Sequence, residues 1–155
     1  MQQYRKGRQL VSLCEQKIQD VRRSLMRDNL EKKEIIKQIR ELEAQIRDFQ
    51  HAIVAKQIAN GYVTKADIYG QRKQLAILLH QRQQALHEHE LLVEDLSQLE
   101  LTMRQSQKML SYLSRKEKKF TKWTHLVKQQ WGMRQDSAIE EETQDSVVLQ
   151  LHSQN

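Results

Sequence analysis

From Val11 to Ile53 the chain holds an unbroken three-four spacing of side chains: Val11, Cys14, Ile18, Val21, Leu25, Asp28, Lys32, Ile35, Ile39, Leu42, Ile46, Phe49 and Ile53. Only Asp28 and Lys32 interrupt the apolar series. A seven-residue repeat with two apolar positions is a seam along one side of a helix, stable only when another helix covers it. A looser series runs through Ile68, Leu75, Leu78, Ala85, Leu92, Leu96, Leu99, Met103, Leu110, Leu113, Phe120, Val127 and Trp131. Between the two lies a strong turn signal, Ala59-Asn60-Gly61-Tyr62-Val63, whose Asn and Gly accept the left-handed conformation that closes helices. The fold expected is all-α, a long antiparallel two-helix coiled-coil hairpin over residues 1–131. Its helices span about 4–58 and about 65–131, with a turn over about 59–64.

Composition agrees with this. Of 155 residues, 5% are aromatic and 30% charged, with 4 glycines and no proline. Such usage, with a sustained heptad, is that of long helices and not of a globule with a three-dimensional core and a cleft. The single cysteine, Cys14, falls on the seam, so no disulfide framework is expected and a reducing compartment is. No apolar run approaches the roughly 20 residues of a membrane span. The opening MQQYRKGRQL is basic but lacks the apolar stretch of a secretory signal. A cytoplasmic protein is expected.

Local signals set the helix ends. Thr64 offers its hydroxyl as an N-cap and Asp67 follows three positions later, a capping box with Asp in place of Glu or Gln. Asp67 also complements the positive end of the helix dipole. Gly7 is expected to fray the first helix, and Gly70 to cost about 1 kcal/mol relative to Ala. From Gly132 the seam period dissolves. Residues 132–155 are acidic through Asp136, Glu140, Glu141, Glu142 and Asp145, and are read as a disordered tail with a minor binding element at Val147-Val148-Leu149.

A pivot at Gly61 places Ile53 opposite Tyr69 and Val11 opposite Ser111. The second helix then outruns the first, and Phe120 to Trp131, with both tryptophans, lacks a partner. Uncovered aromatics on a basic helix are a docking surface. The competing expectation is that the first residues of the chain cover them. Asp28 and Lys32 on helix one, and Arg82, His89, Ser106 and Glu117 on helix two, interrupt the seam, where polar residues set register. The same pivot puts Lys32 across from Glu90, Glu94 or Asp95.

Chemistry-bearing motifs are not found. The glycines are scattered and form no phosphate-binding loop. His87 and His89 fall on different helix faces, and His80 and His87 are two turns apart, so no metal set forms. Glu90 and Glu94 lie on a solvent face without an enclosing pocket. No catalytic, cofactor or metal residue is assigned, and no small-molecule substrate is expected. The net charge of +6 is concentrated in Arg5, Lys6 and Arg8 and in Arg115, Lys116, Lys118, Lys119, Lys122 and Lys128. Lysines on a helix are ordinarily a solvated face. Clustered near Trp123, they also suit an acidic protein surface or, less well, a nucleic-acid backbone with base stacking.

Two stretches carry a resemblance. Thr64-Lys65-Ala66-Asp67-Ile68-Tyr69, followed by Gln-Arg-Lys-Gln at 71–74, resembles the start of the second helix in the InvI/SpaM family. Leu110-Ser-Tyr-Leu-Ser-Arg-Lys-Glu-Lys-Lys-Phe-Thr-Lys-Trp123 resembles that family's second landmark. The likeness covers most of residues 1–131 in layout and is specific over these two stretches. These are small coiled-coil proteins of bacterial type III secretion systems, similar in role to the flagellar FliJ protein and in form to the rotary-ATPase gamma subunit. The resemblance implies a non-enzymatic central stalk that engages a hexameric secretion ATPase and links it to the export gate at the cytosolic face of the inner membrane. It also implies contacts with secretion chaperones. Carried over, the ring-binding surface would be Arg5, Lys6, Arg8, Arg115, Lys118, Lys119, Phe120, Trp123 and Trp131. The gate-facing surface would be Tyr62, Ile68 and Tyr69. A chaperone-escort coiled coil, and then a basic nucleic-acid binder, are the alternatives.

Overall fold

In the computed structural model, which describes residues 1–58 and 64–154, two helices pack against each other: α1 (Gln2–Ile58) and α2 (Lys65–Ser153). The chain is an all-α two-helix hairpin. Every position of the Val11–Ile53 series is buried or half-buried, Asp28 and Lys32 included, while the residues between them are mostly exposed. The period read from the sequence therefore gives the rotational phase of α1 correctly. On α2 the interrupting residues Arg82, His89, Ser106 and Glu117 are also turned inward. Ile68 and Trp131, assigned to the ends of the second seam, are each 39% exposed. Among the described residues no side chain is wholly buried, as expected when each helix contributes only one stripe.

The α2 start forms the expected capping box. The Thr64 hydroxyl accepts from the Asp67 backbone N–H at 3.3 Å and donates to the Asp67 carboxylate at 2.7 Å. Asp67 in turn accepts from the Thr64 N–H at 3.3 Å. Two otherwise unsatisfied donors of the first turn are thus paired. The turn segment itself, Ala59-Asn60-Gly61-Tyr62-Val63, lies outside the described residues.

Two compact units make up the chain, one of Ser24–Ser106 and one of Met1–Arg23 with Gln107–Asn155. In the first, Leu42, Ile53 and Ala85 are the buried seam residues. Lys32 pairs there with Glu100 at 3.6 Å, Glu43 with His89 at 3.1 Å, and Lys56 hydrogen-bonds Gln74. In the second unit Cys14, Ile18, Leu113 and Thr124 are buried, and Gly7 lies against Trp123 and Thr124.

These pairs correct the expected register. Lys32 meets Glu100 and not Glu90, Glu94 or Asp95, which are exposed. In both units an α1 residue meets α2 eight to ten positions further along than a pivot at Gly61 requires. At 1.5 Å per residue that is a slide of about 15 Å. The turn glycine marks where a helix is able to end, but the match of seam layers sets where the helices meet.

Two consequences follow from the slide. Phe120 to Trp131 is not bare, because the first residues of α1 cover its inner face, and Phe120, Thr124 and Val127 are buried or half-buried. And α2 does not stop at Trp131. It continues as helix to Ser153, with every residue from Met133 to Gln154 exposed. The disorder expected for residues 132–155 is not what the structure shows. Loss of the three-four period signals loss of a packing partner, whereas helicity needs only good helix formers and no breaker. Residues 133–153 contain neither Gly nor Pro.

Candidate partner-binding surfaces

The residues expected to bind a partner separate into a covered and an open set. Arg5, Lys6, Arg8, Arg115, Lys118 and Lys119 are all exposed, on the unit that contains both chain termini. The register brings the Gly7 region to Trp123 and Thr124, so Arg5, Lys6 and Arg8 lie beyond Arg115–Lys119 along α2. Arg8 instead shares the Tyr4 ring with Lys128, each cation 6.0 Å from the ring centre. Lys116 sits 5.5 Å from the Tyr112 ring and 5.9 Å from that of Phe120. Such contacts at exposed sites contribute about 0.5–1 kcal/mol and hold the cation without neutralising it. Arg115 donates from Nε to the Ser111 carbonyl at 3.4 Å, which orients its guanidinium along the helix.

Aromatic and apolar surface lies among these charges. Phe120 is half-buried, and Trp123 and Trp131 are each 39% exposed. Their inner edges face α1, and their outer edges are open. A groove of about 500 Å³ runs between Met1–Tyr4 and Val127–Arg134, with Trp131 in its wall. Leu126 and Met133 remain 52% and 68% exposed.

Sequence reasoning missed Gly7 and Thr124. A Cβ at Gly7 would overlap Thr124 Oγ1 and approach the Trp123 ring to 3.0 Å. That hydroxyl is tied down by its own bond to the Phe120 carbonyl at 2.7 Å. Glycine here is what lets the helices close together and seats the tryptophan. The signal was present: Tyr4 and Gly7 continue the three-four spacing backward from Val11, and Thr124 falls in phase between Phe120 and Val127.

At the start of α2, Ile68 is 39% and Tyr69 75% exposed, and Tyr62 lies outside the described residues. Beside them Gly70 faces open space, so a side chain would meet nothing within 4 Å. Seam polarity is concentrated further along, where Arg82 Nε is buried without an acceptor among the described residues. Among the described residues no group of three or more His, Cys, Asp and Glu is placed to hold a metal, and no helix is long and apolar enough to cross a membrane.

Comparison with curated proteins and with solved structures yields no match. The sequence model of one family does match, that of the Salmonella surface presentation of antigen gene type M protein, over residues 5–147. That span takes in both landmark stretches, the basic segment of α2 and most of the helical extension beyond Trp131. With nearly the whole chain matched, this two-helix protein belongs to the family of the Salmonella surface presentation of antigen gene type M protein, the InvI/SpaM family, and so to the proteins involved in type III secretion.

Proposed function

We propose that the chain is a non-enzymatic central stalk of a type III secretion system, which binds the hexameric secretion ATPase, links it to the export gate and promotes ATPase assembly or activity. The observation that carries this reading is the exposed basic surface with half-covered aromatics on the unit containing both termini, in a chain of this family. Ring binding falls to Arg5, Lys6, Arg8, Arg115, Lys118 and Lys119, with Phe120, Trp123 and Trp131 as aromatic anchors. Contact with the export gate falls to Ile68 and Tyr69, and to Tyr62.

The physical case is one of exchange. A stalk inside a ring of six subunits contacts them unequally and must release each contact as the ring turns over nucleotide. Charged, solvated side chains give fast and reversible association, and a continuous apolar face would hold too tightly. Tryptophans partly fixed against α1 add contact area at low entropic cost, because their rings are already ordered.

Titrating the full-length chain into the type III secretion ATPase of the same genome, while following hydrolysis and hexamer formation, tests the reading. Stimulation is expected. It should fall at least about tenfold in apparent affinity when Arg115, Lys118 and Lys119 are replaced by Glu, since several charge pairs are reversed at once. Circular dichroism should show helicity unchanged. Full binding by the charge-reversed chain would refute the basic surface, and no binding by the well-folded parent would refute the stalk. The chaperone-escort and nucleic-acid readings would then be taken up.

A further inference from the structure

On the α2 face turned away from α1, side chains recur at heptad-compatible spacing: Arg115, Lys122, Leu126, Met133, Glu140 and Val147. At 100° per residue these six lie within about 60° of one another, nearly opposite the buried Leu113 and Thr124. All six are exposed. The stripe is long, continuous and without a partner among the described residues.

Its charge is arranged in a way that points to the partner. Residues 115–128 carry six basic side chains and one acidic, and residues 134–147 carry five acidic and one basic. The two segments are placed symmetrically about residue 131 and carry opposite net charge, with Glu117 facing Asp145 and Lys128 facing Arg134 as the like-charge exceptions. An antiparallel copy of the same helix, with its twofold axis at that residue, would set Lys122 against Glu140 of the second chain and Leu126 against Asp136. Lys118 and Lys119 would lie within a turn of Glu140 and Glu141. Leu126 and Met133, 52% and 68% exposed, supply apolar contact near the axis. A parallel, in-register copy would stack like charge on like charge. The acidic segment cannot reach the basic one within its own chain, because α2 is a single helix from Lys65 to Ser153.

We propose that this face is an isologous interface, on which a second copy of the chain docks antiparallel through charge exchange between residues 115–128 and 134–147. Each copy contributes the same surface, so every contact is made twice. The acidic extension thereby acquires a partner, and the basic surface is covered when the chain is paired. Pairing would be weak and salt-sensitive, since exposed charges supply most of it.

Sedimentation of the full-length chain alone, across protein concentration and at low and raised ionic strength, reads this out without reference to any ATPase. A concentration-dependent dimer that dissociates with salt is expected. Two variants sharpen it: Lys118→Glu with Lys119→Glu and Lys122→Glu, and Asp136→Lys with Glu140→Lys and Glu141→Lys. Each alone should dimerise at least about tenfold more weakly than the parent, because the facing segments then carry net charge of the same sign in both halves of the dimer. Mixed together, the two variants should form a heterodimer at near-parental strength, since each altered segment then meets its altered complement. Circular dichroism of each variant guards against loss of helix. A monomer at all concentrations overturns the proposal, as does a dimer indifferent to both charge reversals. The acidic-side variant leaves the proposed ring-binding residues untouched, so its effect on self-association is separable from failure of the stalk reading.

Discussion

The two units use the same seam by different means. In Ser24–Ser106 the helices meet through apolar residues interrupted by ionisable pairs, Lys32 with Glu100 and Glu43 with His89. In the unit with both termini the buried Cys14, Ile18 and Leu113 are joined by a close approach of Gly7 to Thr124 and the Trp123 ring. Polar pairs discriminate between registers, because a slide leaves a charge facing hydrocarbon. Small residues discriminate by shape, because only at one translation does the tryptophan find the gap left by a missing Cβ. Two different devices therefore agree on one slide, and each can be broken separately.

The largest effect should come from the apolar part common to both units. Leu42→Ala and Leu113→Ala remove buried seam side chains, and each should cost about 2–4 kcal/mol. For a chain of this length that lowers the melting temperature by about 4–16 °C. A cost below about 1 kcal/mol in either unit would mean that its seam is not closed in solution.

Glycine substitution comes next and should split the units. Gly7→Val forces a side chain into Thr124 and the Trp123 ring, and should destabilise by about 1–3 kcal/mol. Hydrogen exchange should localise the loss to Met1–Arg23 and its partner residues on α2. Gly70→Ala, facing open space, should instead stabilise by about 0.5–1 kcal/mol. Equal behaviour of the two glycines would remove the close approach at Gly7.

The smallest effect belongs to the ion pair. Lys32 and Glu100 are 33% and 39% exposed at 3.6 Å, so solvent screening leaves about 0.5 kcal/mol or less in a double-mutant cycle. Replacing both by Leu should be neutral or slightly stabilising. Its signature should be loss of a single register, read as broadened cross-helix distances between spin labels. A coupling well above 1 kcal/mol would show that the pair stabilises the seam as well as selecting its register.

The presence of two helices, the phase of the seam and the Thr64–Asp67 cap are legible in the residues, because each depends on neighbours within a turn or two of the chain, whereas the second helix was expected to end near Trp131 and runs to Ser153. Even the inward placing of Arg82 and His89 follows from phase alone. What could not be read was translation. Sliding one helix past the other by about a heptad keeps the apolar faces together, so periodicity is silent on how far along α2 Lys32 finds its partner. That choice also decides whether Trp123 is bare or seated on Gly7, and how much of α2 extends unaccompanied. It was made by packing summed over the length of both helices, a quantity no short stretch of sequence contains.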